Sequence, residues 1–141
     1  MPSFIPVSLL VVFQVTDNGV SVHMQKRREN GPLDGLLEFP GGKIQPNELP
    51  EVAAMREFSE EVEEISGSCK RFKMYKYDYN DRSVCLFVHI MRVEDKEFCK
   101  GSWVSLPPQF KEADWAGVVP AANLEIISDL TKELHENGIN L

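Results

Sequence analysis

Cysteine is scarce in this chain, with three residues, Cys69, Cys85 and Cys99, and no two of them in a CxxC arrangement. An odd, dispersed set excludes a disulfide framework or a cysteine zinc cage as the basis of the fold, and it fits a reducing cytoplasm. Long apolar segments are lacking as well. The run Val7 to Phe13 falls far short of the ~20 residues that a membrane span needs, and no basic leader precedes it, so it reads as a buried strand and no membrane partner is expected. Cations are the minority, 15 Lys and Arg against 22 Asp and Glu, for a net charge of -7. That balance opposes binding along a nucleic-acid duplex, which depends on many lysine and arginine contacts to phosphate. Histidine is also sparse. His23, His89 and His135 are scattered without ligand spacing, and each reads as a packing or surface group rather than a metal ligand or general base. Neither an internal repeat nor a low-complexity stretch is present.

What remains is an ordinary globular composition, 43% hydrophobic and 26% charged over 141 residues. A chain of that length fits a single domain, residues 1–141, able to bury roughly 70% of the surface its unfolded form exposes. Ile5 to Val15 is apolar and β-branched, Asp17-Asn18-Gly19 is a turn signal, and Val20 to Gln25 alternates, which together predict a hairpin. A loop then contains Gly31, Pro32, Asp34 and Gly35, followed by Leu36-Leu37-Glu38-Phe39, Pro40 and the pair Gly41-Gly42, where glycine permits backbone positions other residues avoid. Between Pro50 and Ile65 the pattern is helical, with Pro50 acceptable in a first turn, Asn47 as a candidate cap and Gly67 as a stop signal. Phe72 to Tyr79 and Ser83 to Val93 predict a second hairpin across Asn80-Asp81, Trp103 to Leu106 a further strand, and Ala122 to His135 a closing amphipathic helix. Hairpins on either side of a helix imply the α/β class, with a mixed β-sheet covered by helices.

The central helix carries the chemistry. At about 100° per residue, Glu57, Glu60, Glu61 and Glu64 fall on one stripe, while Met55, Phe58, Val62 and Ile65 form a separate apolar stripe that can dock the helix on a sheet. Like charges at these spacings destabilise a helix, and Arg56 is the only basic residue between Ile44 and Cys69. Two readings are open on charge alone. One is a solvated acidic face; the other is a site for a hard divalent cation such as magnesium, which takes a few carboxylates and keeps water and phosphate oxygens in its shell.

Spacing favours the second. Gly42, Glu48, Arg56, Glu57, Glu60 and Glu61, with apolar Phe58 among them, resemble the Nudix box, in which Gly, five residues, Glu, seven residues and Arg-Glu-apolar-any-Glu-Glu follow in order. Six such matches arise by chance roughly once in 10⁷ starting positions at ordinary residue frequencies. Leu37-Glu38-Phe39-Pro40-Gly41-Gly42-Lys43 resembles the approach segment of MutT-type enzymes. Tyr79-Asn80-Asp81-Arg82 is similar to the turn between their middle strands, and Pro120-Ala121-Ala122-Asn123 to the segment before their last helix. There are departures too. The box normally closes on Glu-Glu-any-Gly, whereas Glu60-Glu61-Val62-Glu63-Glu64 continues acidic, so that the helix is expected to run on by a turn. The glutamate that MutT-type enzymes place before a late tryptophan is replaced by Ser102, leaving Glu94, Asp95 and Glu97 as loop acids that could stand in.

The resemblance implies a Nudix-type α/β/α sandwich and a magnesium-dependent pyrophosphohydrolase, with manganese able to substitute. It implies Glu57, Glu60, Glu61 and the Gly41 carbonyl as metal ligands, one of these glutamates or a loop acid as base, and Arg56 as the group that orients a glutamate. Lys43, Arg27, Glu38, Arg82 and Asn123 match substrate-binding positions, although Lys43 read by residue type alone is equally a solvated surface lysine and Asn123 equally a helix cap. The substrate it implies is a nucleoside triphosphate, guanine or oxidised guanine first, with monophosphate and pyrophosphate as products. A triphosphate at an RNA 5′ end is the alternative, and a non-catalytic nucleotide-binding module is the alternative of another class. Lys70, Arg71, Lys73 and Lys76, interleaved with Phe72, Tyr75, Tyr77 and Tyr79, could grip a nucleotide or single strand; such alternation is also what a strand with one solvated face shows.

Overall fold

The computed structural model of the chain describes residues 3–141. Met1 and Pro2, where the segment read as lacking a leader begins, lie outside the described residues. The elements are β1 (Ser3–Thr16), β2 (Gly19–Lys26), β3 (Leu37–Glu38), β4 (Gly41–Lys43), α1 (Pro50–Glu61), β5 (Lys70–Asp78), β6 (Arg82–Arg92), β7 (Ser102–Leu106), α2 (Glu112–Trp115) and α3 (Leu124–Asn137). This is the α/β class expected, and the five longer strands and both longer helices lie where the sequence places them. No helix among the described residues is long and apolar enough to cross a membrane.

The chain divides into two compact units. The first contains the described residues up to 11, 39–91 and 98–100, and so holds the start of β1, β4, α1, β5 and nearly all of β6. There β4 pairs antiparallel with β1, Val7 opposite Lys43, Ser8 opposite Gly42 and Leu9 opposite Gly41. β5 and β6 form an antiparallel hairpin, interrupted by a register shift between Arg71 and Lys73. Helix α1 is buried through Ala53, Ala54 and Phe58. The two alanines let its backbone come close, so the inward face is narrower than the expected stripe; Met55 and Ile65 are only half-buried. Its first turn is tied to the strands by polar groups: the Ser8 hydroxyl donates to the Pro50 carbonyl at 2.6 Å and lies 3.3 Å from His89 Nδ1. Burial holds the His89 imidazole below its ordinary pKa.

The second unit contains residues 12–38, 92–97 and 101–141. The rest of β1 pairs with β2 across the Asp17-Asn18-Gly19 turn, Phe13 opposite Val22 and Thr16 opposite Gly19. β7 pairs with the other edge of β2, Val20 opposite Leu106 and Met24 opposite Ser102. Helix α3 buries Ile126, Ile127, Leu130, Thr131 and Leu134, the i, i+1, i+4, i+5, i+8 spacing of a single helical face.

Three expectations need correction. The helix does not run on towards Ile65. It ends at Glu61, with Val62 as C-cap at φ -116° and ψ -80°, and the chain leaving it is taken up by Cys99, whose N–H donates to a Glu63 carboxylate oxygen at 2.9 Å and whose thiol faces the Val62 carbonyl at 3.7 Å. Glu64 therefore leaves the carboxylate stripe. Asn47 does not cap the helix: Leu49 holds that position without a side-chain bond, and Asn47 sits at φ +65° in the turn closed by Glu48 N–H to the Gln45 carbonyl, 3.0 Å. Thirdly, the segment that follows the loop, for which the sequence predicts no strand, contains β3 and β4; in β4, Gly41 admits Ser8 and Leu9 of β1 at close range.

Phe58 is fully buried and meets the edge of Phe98 with ring centroids 5.4 Å apart at 74°. Phe58→Ala is expected to cost about 3–5 kcal/mol through lost burial and an unfilled cavity, whereas Met74→Ala, at a side chain 62% exposed, should change stability by no more than about 0.5 kcal/mol. Urea unfolding of both variants checks the contrast, and equal losses would contradict the packing described.

Candidate functional site

The box residues come together in the first unit, around one guanidinium. Arg56, nearly two turns into α1 and with its side chain 22% exposed, holds Glu48 with two parallel bonds, Nε to Oε2 at 2.7 Å and Nη2 to Oε1 at 3.0 Å. This is the bidentate fork that arginine makes with carboxylates. Its Nη1 donates to Glu57 at 3.0 Å and to Glu60 at 3.3 and 3.4 Å. The other side of the fork donates to the Lys43 main-chain carbonyl at 3.2 Å. One cation thus spans β4, the turn before α1 and the helix itself. The bonds from Arg56 are the first cause that pushes the Glu48 carboxyl down to about 2, and the same bonds raise the guanidinium further above its usual value.

Glu61 is held separately. Its Oε2 accepts the Gly41 backbone N–H at 2.9 Å. The two glycines make this corner possible. A Cβ on Gly41 would strike the Leu9 side chain and the Ser8 carbonyl, and one on Gly42 would stand 2.5 Å from the Glu57 carboxyl carbon. Any larger residue at position 42 must push Glu57 off the surface of β4. Glu60 is the most open of the acids, its side chain 58% exposed. Among the described residues, no three His, Cys, Asp or Glu side chains converge closely enough to cage a metal ion as they stand. Glu57 and Glu60 turn to Arg56, and Glu61 turns to the Gly41 amide. As donors the three are nevertheless suited to a hard cation: all oxygen, on adjacent turns of one helix, each held by a hydrogen bond rather than packed in the core.

The expected substrate residues are distributed over both units. In the first, Lys43 has an exposed side chain, and Arg82, half-exposed, lies over the Tyr79 ring at 5.4 Å. In the second, Arg27 bridges Glu38 and Glu29 at 3.3 Å each, and burial raises the Glu38 pKa above the ordinary value against the pull of Arg27. Asn123 is buried at 7% exposure, at the end of a 3-10 turn and at the cap position of α3, yet its side chain makes no capping bond. The cap reading of Asn123 thus loses its physical basis. Ser102 opens β7 and is exposed, and Glu94, Asp95 and Glu97 are exposed loop residues. Trp103 donates its indole N–H to the Lys96 carbonyl at 3.1 Å and Trp115 is buried, so both pack.

Glu48 is the group that the sequence matched to the pattern without giving it a part. Its fixed distance from Arg56 was the available signal, because a carboxylate eight residues before an arginine on a helix start can fold back onto it through one turn.

A NUDIX domain model matches residues 6–135. The chain is 28% identical over 119 residues to the 8-oxo-dGTP diphosphatase of Haemophilus influenzae, covering 81% of this chain and 84% of that protein. It is 32% identical over 90 residues to the 8-oxo-dGTP diphosphatase of Escherichia coli K12, covering 60% and 70% of the two chains. Among solved structures, the MutT protein of Methanosarcina mazei Go1 superposes with a TM-score of 0.70 at 21% identity, over 94% of this chain and 96% of that one. The match to the domain model runs through every box residue that Arg56 and Gly41 gather, and the chain belongs to the Nudix family of hydrolases.

Proposed function

We propose that this protein is a magnesium-dependent pyrophosphohydrolase that cleaves a phosphoanhydride of nucleoside triphosphates, guanine or oxidised guanine such as 8-oxo-dGTP, to monophosphate and pyrophosphate. The observation that carries the reading is the carboxylate set Glu57, Glu60 and Glu61 at one helix end, each held by a bond that a cation can replace. The relatives named 8-oxo-dGTP diphosphatase support the substrate. The reading treats residues 1–141 as one Nudix domain. The free cysteines suit a reducing cytoplasm as its location.

In this reading Glu57, Glu60, Glu61 and the Gly41 carbonyl hold magnesium, or manganese in its place. When bound, the ion supplies charge neutralisation for the phosphates and an activated water. Arg56 does not need to leave, since Glu48 holds it by two bonds of its own. It keeps the first turns of α1 set against β4 and limits the rotamers of Glu57. In this reading the ammonium of Lys43, whose side chain is exposed, meets phosphate oxygens. Arg27, Glu38, Arg82 and Asn123 serve the nucleotide, with Asn123 supplying an amide donor and acceptor to the base edge. The general base is one of the three glutamates or an acid of the loop Glu94 to Glu97.

A magnesium-dependent panel of dGTP, 8-oxo-dGTP, triphosphorylated RNA and nucleotide sugars, compared by kcat/KM, tests the substrate. Glu60→Gln and Glu61→Gln are each expected to lower kcat by at least ~10²-fold while leaving the urea midpoint little changed. Calorimetry should show magnesium binding weakened in both, and near-normal turnover in both variants would remove the metal assignment. Asn123→Ala is expected to reduce kcat/KM for guanine nucleotides roughly 10- to 100-fold with other bases nearly unchanged. Because the side chain makes no capping bond, its melting temperature should move little. If guanine preference survives intact, RNA 5′ ends, which present any base, become the better substrate reading.

A further inference from the structure

The basic stretch of β5 has no part in the reaction above. Lys70, Arg71, Lys73 and Lys76 fall within seven residues that contain no acid, in a chain of net charge -7. Among the described residues, β5 pairs only with β6 and ends the strand order. Lysines on an edge strand are a common guard against unwanted strand pairing, and that purpose is met by exposed charge alone. It does not call for a concavity, yet a cavity of about 410 Å³ lies here, lined by Pro50, Arg71, Phe72, Lys73, Met74 and Phe87 among others. No carboxylate lines it. Its size is within the range of small-molecule sites, roughly 300–1,000 Å³.

The lining has two characters. Arg71, its side chain 70% exposed, spends two N–H groups on one oxygen of Glu51, at 2.9 and 3.1 Å, of the five a guanidinium carries. Phe72, Phe87 and Met74 supply rings and a polarisable thioether, and Met74 is 62% exposed. Met74 stands opposite Phe87 and Arg71 opposite His89 in the hairpin, so Arg71, Met74 and Phe87 share the face on which His89 meets Ser8, whose hydroxyl reaches Pro50. Pro50 begins α1 and Glu61 ends it, which puts the cavity roughly 16 Å along the helix axis from the last carboxylate at 1.5 Å per residue.

We propose that this cavity binds a phosphate-bearing ligand with a planar body, a nucleotide unit that is either free or part of an RNA strand. Arg71 meets the phosphate, Lys73 adds positive charge to the lining, and Phe72, Phe87 and Met74 lie against the body. Charge and stacking together are what such a unit needs, without base-specific hydrogen bonds.

The test is an amide NMR titration of the full ¹⁵N-labelled chain with uridine monophosphate, inorganic phosphate, uridine and a uridine pentanucleotide. Uridine monophosphate is expected to move the amides of residues 71–74 and 87–89 saturably, with phosphate and uridine alone at least ~10-fold weaker. Lys73→Glu and Met74→Glu, both at exposed positions, should each weaken that binding by ~10-fold and leave triphosphate turnover as it was. The same shifts should persist in Glu60→Gln, so the outcome is independent of the proposed reaction. A pentanucleotide that binds more tightly than the monophosphate assigns the strand as the source, and one that binds no more tightly assigns the free nucleotide. Shifts confined to other residues, or unaltered by both substitutions, would overturn the site.

Discussion

The pairing of Arg56 with Glu48 is the constraint on which the acidic corner of this protein depends. Glu57, Glu60 and Glu61 crowd the last turns of α1, where carboxylates three and four residues apart repel. The helix has no basic residue in its last turn. A single guanidinium compensates, and it can do so only because its fork is fixed by two bonds to Glu48, leaving Nη1 directed at Glu57 and Glu60. The same fork reaches the Lys43 carbonyl. Removing either partner would leave a partly buried charge unmatched and would loosen the turn, the short strand and the helix together.

Backbone economy at Gly41 and Gly42 is the second condition. At Gly41 strand β4 lies so close to β1 that a side chain has no room, the Gly41 amide donates to Glu61, and the Gly42 surface lies against Glu57. The carboxylates are therefore aligned by main chain and one arginine. Groups held in this way are ordered yet exchangeable, which is what the role proposed for them as ligands of a divalent ion requires. The Ser8 hydroxyl on the Pro50 carbonyl fixes the opposite end of the helix to the same strand.

Much of this was legible in the sequence where periodicity and spacing agree. The two hairpins follow from alternation and turn residues, α3 from its apolar face, and the gathering of Gly42, Glu48, Arg56, Glu57, Glu60 and Glu61 from their intervals. The end of α1 was not legible. Glu63, Glu64 and Ile65 prolong a helical pattern, whereas beyond Glu61 the chain is met by Cys99, from a loop more than thirty residues downstream, a tertiary contact that no local rule contains. Strand β4 escaped notice because glycine signals loop by propensity, although here it permits close strand approach. The cap at Asn47 failed for a related reason: that residue takes a left-handed conformation in the tight turn which returns Glu48 to Arg56. At Asn123 residue type alone left cap and base reader equal, and the absence of a capping bond bears on the first reading alone.

The central claim is that Glu61, held by the Gly41 amide, and Glu57 and Glu60, held by Arg56, exchange those partners for magnesium while Arg56 keeps Glu48. The most direct measurement is a magnesium titration followed by NMR at two nitrogens, the Gly41 amide and Arg56 Nε. The account predicts that the Gly41 amide shifts saturably and that this shift is lost in Glu61→Gln, while the Arg56 Nε resonance, bonded to Glu48, stays nearly in place. A Gly41 amide indifferent to magnesium, or an Arg56 Nε signal that collapses as the ion is added, would contradict it.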